Sequence, residues 1–153
     1  MKKEYTFDEL LHKAASYCSI SEHCVSEVEE KLSAWGIDEK DKAAIILHLK
    51  KEGFINERRF CKAYVCDKFR FNKWGKIKIS LALRAKSLPK EAIEEGLSFI
   101  DDGEYEEMLA AILKTKLTTL KFNFEYEKQG KLFQFAQGRG FENSVIERVI
   151  RTL

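Results

Sequence analysis

The sequence predicts an all-α protein built from three tandem three-helix units. Three observations carry that prediction. One proline and eight glycines in 153 residues leave few helix breakers. Apolar residues recur at spacings of three and four between recognisable capping residues. Three segments also superpose without gaps. Val28, Leu32, Gly36, Ile37, Ile46 and Leu49 match Ile79, Leu83, Ser87, Leu88, Leu97 and Ile100, and match again Leu132, Ala136, Gly140, Phe141, Ile150 and Leu153.

Taken in order, Thr6 and Glu9 form a capping box, and Phe7, Leu10, Leu11, Ala14, Tyr17 and Cys18 give a first helix over 7–18. Ser19 and Glu22 repeat the capping signature before a second helix carrying Val25, Val28, Leu32 and Trp35, with Gly36 placed to end it. Asp38 caps a third helix, whose apolar side is Ala43, Ile46, Leu47 and Leu49 and whose end is Gly53. Asn56 caps the fourth, with Ile55 expected to staple onto Phe60. This helix runs toward Trp74, with Phe60, Ala63, Tyr64 and Phe71 on one stripe and Arg59, Lys62, Cys66, Arg70 and Lys73 on another.

Residues 76–86 alternate apolar and polar like a strand, yet their counterpart in the first unit, 22–35, is a plain helical pattern, so the repeat favours helix. Leu88–Pro89 opens the next helix, with Ile93, Leu97 and Ile100. A break at 101–103 precedes the cleanest amphipathic stretch, Tyr105 to Leu120, on whose apolar face Lys116 is the only charged residue. Residues 120–130 read as helix or irregular connector. Leu132, Phe135 and Ala136 lead to Gly140–Phe141, and Val145, Ile146, Val149, Ile150 and Leu153 form a last helix. The units are expected at 6–53, 54–101 and 102–153. A positive φ at each corner lets the following helix fold back, so Ser87, standing where the other corners have glycine, should be strained.

Composition narrows the function. No run of eighteen apolar residues spans a membrane, and the N-terminus lacks a secretory apolar centre, which predicts a cytoplasmic protein. Cys18, Cys24, Cys61 and Cys66 show no metal spacing and are expected as reduced thiols, Cys18 and Cys61 in the core. No P-loop, GxSxG or HExxH occurs, and His12, His23 and His48 have no matched nucleophile, so neither enzyme chemistry nor a cofactor is expected.

Charge is segregated. Residues 50–90 hold thirteen Lys or Arg against three Asp or Glu, while the flanking segments are each acidic, so the net +2 conceals a basic centre. Such a centre favours an acidic surface or a phosphate backbone. The candidate contacts are Arg59, Lys62, Lys68, Arg70, Lys73, Lys76, Lys78, Arg84 and Lys86.

Four segments in order resemble the RecX family of bacterial RecA regulators: SEVEEKLSAWGI, GFINERRFCKAYV, WGKIKISLALRAKSL and KLFQFAQGRGF. The likeness spans roughly residues 10–153. Asn56–Glu57, Ala82 and Ser87 depart from the family's usual Asp-Asp, Glu and Gly. The resemblance implies an elongated, curved array that binds the RecA filament on single-stranded DNA and inhibits its ATP hydrolysis and strand exchange, and a monomer is expected. It adds Arg139, in the Arg-Gly-Phe corner, to the candidate contacts. The alternative is a helical module that binds DNA directly, without RecA.

Overall fold

The computed structural model describes residues 5–153. Among them are nine helices and no strand: α1 Phe7–Ile20, α2 Val25–Ala34, α3 Glu39–Lys51, α4 Glu57–Arg70, α5 Lys76–Ala85, α6 Lys90–Leu97, α7 Asp102–Thr119, α8 Glu125–Gly138 and α9 Asn143–Arg151. The fold is all-α in three consecutive three-helix units, as expected, and 76–85 is helix. The chain exposes 9818 Å². A compact monomer of 17.8 kDa would expose about 8,000 Å², so the molecule is extended.

The three corners share one hydrogen-bond scheme. Each middle helix ends on a residue with positive φ: Gly36 at 79°, Ser87 at 64° and Gly140 at 92°. The next residue's N–H reaches back to the helix, Ile37 to the Leu32 carbonyl, Leu88 to Leu83 and Phe141 to Ala136, each at 3.2 Å. The corner residue's own N–H closes the inner bond, to Ser33, Arg84 and Gln137 respectively. This is a Schellman ending, in which the apolar residue past the corner folds onto the helix. Ser87 does carry the left-handed strain that its sequence position predicted.

Each later corner docks on the start of the preceding unit's middle helix. The Ser26 hydroxyl donates to the Lys86 carbonyl at 2.7 Å, and the Lys86 ammonium meets Glu27 at 3.0 Å. In the second joint the N–H groups at the start of α5 are satisfied by the third unit. Gly75 donates to the Arg139 carbonyl at 2.7 Å, Ile77 to that of Gly140 at 2.9 Å, and Lys76 to the Tyr105 hydroxyl at 2.9 Å. A side chain at Gly75 would collide with the backbone of Gly140 and Phe141, and one at Gly140 with Lys78. The two glycines are therefore required by a backbone-on-backbone approach.

The buried residues form two clusters. One joins α1–α3 and Ile55; the other runs through α4–α9 and takes in Cys24. Units two and three thus share an apolar core, with Phe69, Tyr105 and Phe141 rings in sequence at 5.8 and 5.0 Å. The first joint is largely polar. Burial holds the Glu27 carboxyl up, but bonds from Lys86, the Cys24 backbone and His23 outweigh it and leave the carboxyl below its ordinary range. The same Glu27 contact raises Lys86.

Several local expectations change. Helix α2 starts at Val25, and its capping carboxylate is Glu27, which accepts from the Cys24 N–H at 3.3 Å. The predicted Ser19–Glu22 box is not used, because the Ser19 hydroxyl bonds back to the Ala15 carbonyl inside α1. On α3, Ile45 is buried and Leu47 is 70% exposed. On α4 the buried stripe is Phe60, Cys61, Val65 and Phe69. Helix α4 stops at Arg70, which leaves Phe71 79% exposed. Ile55 packs in the first cluster and Phe60 in the second, so the staple is replaced by packing into two cores. Cys18 and Cys61 are buried as expected, and burial pushes the Cys61 thiol up to about 11.

Two predictions follow from these joints. Replacing Ser87 by Gly should raise stability by about 0.5–1 kcal/mol, while Gly140→Ala should cost about 3 kcal/mol or more, both read from urea midpoints. Glu27→Gln should cost about 1 kcal/mol at neutral pH. Because the folded Glu27 value lies below 4.5 and that of Lys86 above 10.5, the contribution is complete between those values. It is lost as pH falls below the first or rises past the second, so unfolding curves of the two proteins should converge at both extremes.

Candidate functional site

The candidate basic residues of the middle unit divide into two groups. The first is tied to acidic residues of the flanking units. Arg59 pairs with Glu22 and also donates to the Gly53 carbonyl at 2.9 Å. Lys86 pairs with Glu27 at 3.0 Å. Arg70 lies 3.8 Å from Glu104, and Lys76 lies 3.9 Å from Asp102. The segregation of charge along the chain is thus used internally, with the basic centre pinned to its acidic neighbours. Exposed pairs of this kind contribute only about 0–1 kcal/mol each, but they fix where the side chains point.

The second group has no carboxylate partner among the described residues: Lys62, Lys68, Lys73, Lys78 and Arg84. Three of these rest on aromatic faces. Lys62 lies 4.3 Å from the centre of Phe99. Lys68 and Lys78 lie 5.0 and 4.8 Å from the same ring, Trp74. Such contacts hold a cation in place without neutralising it. Lys73 sits in the turn between α4 and α5 with φ of 59°, and Arg84 is exposed on α5. Arg139 donates to the Asn72 carbonyl at 3.3 Å and lies over Phe135.

The third corner is what gathers these groups. Because Gly140 presses against Lys78 and Arg139 reaches Asn72, the α4–α5 turn and the α8 corner form one surface. Lys68, Lys73, Trp74, Lys78 and Arg139 belong to it. Arg59, Lys62 and Arg84 lie elsewhere, so the single helical stripe expected from spacing is not the organising feature. Sequence reasoning missed one participant, Trp74, which it reads only as a helix end. The Lys–Lys spacing around Trp74 was the available signal.

Nothing at this surface resembles a catalytic constellation. Burial and the bond to Glu142 raise the Tyr105 hydroxyl well above its ordinary value, and that hydroxyl serves the α5 start. His23 stacks on Tyr17 at 3.8 Å and bonds to Glu27 and Ser21. Among the described residues no cluster of His, Cys, Asp or Glu could hold a metal ion, and no helix is long and apolar enough to cross a membrane.

Residues 56–97 match the family model described as RecX, second three-helix domain. The regulatory protein RecX of Clostridium beijerinckii is 32% identical over 128 residues, which is 82% of this chain and 59% of the relative. That of Prosthecochloris aestuarii is 27% identical over 143 residues, 94% of this chain and 92% of its own length. The chain spans about three-fifths of the clostridial relatives it matches. The crystal structure of RecX from Lactobacillus salivarius has the same fold, with a TM-score of 0.88 and 24% identity over 96% of both chains. A second crystal structure, of a regulatory protein RecX, gives 0.84 at 20% identity, covering 95% of this chain and 73% of that one. The match to the second domain, the relatives along most of the chain and the shared fold agree, and what this chain is similar to is the RecX family.

Proposed function

We propose that this chain is a regulatory binding protein, not an enzyme, that docks on the RecA filament assembled on single-stranded DNA and lowers its ATP hydrolysis and strand exchange. The observation that carries this reading is the set of middle-unit cations that pair with no carboxylate among the described residues. Lys62, Lys68, Lys73, Lys78 and Arg84 are exposed or half-buried and keep their full charge for a partner. The likeness to regulatory proteins named RecX supports the regulatory role, and the extended surface supports a partner that is itself long and repetitive. We take 6–53, 54–101 and 102–153 as the units that would span neighbouring subunits. The work is done by a monomer in the cytoplasm without a cofactor.

Within the ten candidates, the roles separate. Arg59, Arg70, Lys76 and Lys86 hold the units together through Glu22, Glu104, Asp102 and Glu27. Lys68 and Lys78, braced on Trp74, present charge outward and are the strongest contacts in this reading. An acidic protein surface or a phosphate backbone would satisfy either of them.

Adding the protein to RecA on single-stranded DNA should depress ATP turnover, and the Lys68→Glu/Lys78→Glu double variant should need about tenfold more protein for half the effect. Its helical circular dichroism should be unchanged. No effect of the wild-type chain at saturation would remove the proposal, and tighter binding to bare DNA than to the filament would replace it with a direct DNA-binding module.

A further inference from the structure

We propose that the groove between α5 and α6 is a docking site for a helix of a partner protein, which seats an apolar side chain on the groove floor and a carboxylate between Arg84 and Lys90 at the mouth. The groove has a volume of about 490 Å³. Leu88, Ile93 and Leu97 form its floor, Ser80 stands on its α5 wall, and Arg84 and Lys90 line its opening.

The other two units fill and close the same groove from within. The register that aligns Ile79 with Leu132 places Phe133 at the position of Ser80, and Gln137 and Asn143 at those of Arg84 and Lys90. In the third unit the half-buried Phe133 packs against the core, and the groove there is only about 200 Å³. Its mouth is bridged, with the Gln137 amide donating to the Asn143 side-chain oxygen at 2.9 Å. In the first unit the two mouth positions are Ser33 and Glu39. Lys42 spans them, donating to the Ser33 hydroxyl at 2.9 Å and pairing with Glu39 at 2.8 Å, and its side chain is only 12% exposed. The middle unit has neither plug nor bridge. Arg84 and Lys90 are both donors and both cations, so they cannot bond to each other. Arg84 pairs with no carboxylate among the described residues, and Lys90 has an exposed contact with Glu94 at 3.8 Å. A carboxylate between the two would close this mouth as the internal bridges close the others.

The outer face of α5 says what carries that carboxylate. Ile77 and Leu81 are 46% and 57% exposed. Their counterparts are Ser26 and Glu30 in the first unit, and Gly130 and Gln134 in the third. Among the three middle helices, only α5 thus turns an apolar stripe outward. Ile77, Leu81 and Arg84 succeed one another along one helix face, so the stripe leads to the mouth. An apolar groove, an apolar shoulder and a terminal cation fit an amphipathic helix with an acidic residue beside its anchors. The inference goes beyond the filament reading, since it uses none of the cations braced on Trp74 and its occupant needs no DNA.

The test uses the full chain, without RecA or DNA, and a displayed library of helical peptides varied among Phe, Leu, Ala, Lys and Glu on one face. Selected peptides should carry a carboxylate at i+3 or i+4 from a Phe or Leu. By fluorescence anisotropy, Arg84→Glu should weaken their binding about tenfold. Ser80→Phe, which copies the plug of the third unit, should weaken it at least as much without lowering the urea midpoint. Arg84→Gln/Lys90→Asn, which copies the Gln137–Asn143 bridge at two exposed positions, should do the same with unchanged helical circular dichroism. Lys40→Glu, on α3, removes an exposed cation remote from the groove and should change affinity little. No selected binder, binders without a carboxylate, or full affinity in the groove variants overturns the site. Self-association of the wild-type chain that Ser80→Phe abolishes would give the groove to a second copy and overturn the partner assignment. Either failure leaves the RecA reading to its own assay.

Discussion

A helix begins with N–H groups that its own turn cannot satisfy, and it ends with carbonyls in the same position. This chain sets the two deficits against each other. The carbonyl before each docked corner residue, Lys86 or Arg139, accepts from the start of the preceding unit's middle helix. That contact decides where each unit sits on the one before. It requires a corner narrow enough to approach, which is why Gly75 and Gly140 face each other without room for a side chain. It also brings the α4–α5 turn beside Arg139, and so creates the cationic surface.

The fold was largely legible, because its signals are local and repeated. Three corners with a large apolar residue after a glycine or serine could not be hidden by noise in any one helix. Even the strain at Ser87 could be read, since only the repeat says that a positive φ is needed there. The face of a helix was harder. Leu47 and Phe71 were placed inside because apolar spacing does not say which of two adjacent stripes meets a neighbour. Helix α4 ends at Arg70 rather than near Trp74, and the chain turns before the Phe71 ring can reach the core.

The candidate surface was legible as charge and illegible as geometry. Counting lysines and arginines located the basic centre, but not that Arg59, Arg70, Lys76 and Lys86 face acids from other units. Those partners are far away in sequence, 37 residues for Arg59 and Glu22 and 59 for Lys86 and Glu27, so no local pattern announces them. A charge excess in sequence therefore overstates what a partner can meet. What reaches solvent unneutralised is the remainder, and aromatic rings such as Trp74 decide its direction.

The three middle helices meet the same requirement differently, and the differences order the molecule. Helix α2 supplies its own acceptor in Glu27, and that carboxylate then takes Lys86 as a second partner. Its joint is mostly polar, and the first unit keeps a separate core. Helix α5 has a glycine at its start and no side-chain cap, so its N–H groups depend on Arg139, Gly140 and Tyr105 of the next unit. A helix capped by its neighbour cannot be stable apart from it, and the core of α4–α9 is correspondingly continuous. Helix α8 begins earlier than the repeat would place it, with Glu125 and Glu127 in its first turn to balance the dipole. The second and third units thus share one apolar core, and the first is attached to it by ion pairs, the Ser26–Lys86 hydrogen bond and the buried Cys24. A partner that pulled on the array would find its give at the first joint, where charge, rather than apolar area, holds the contact.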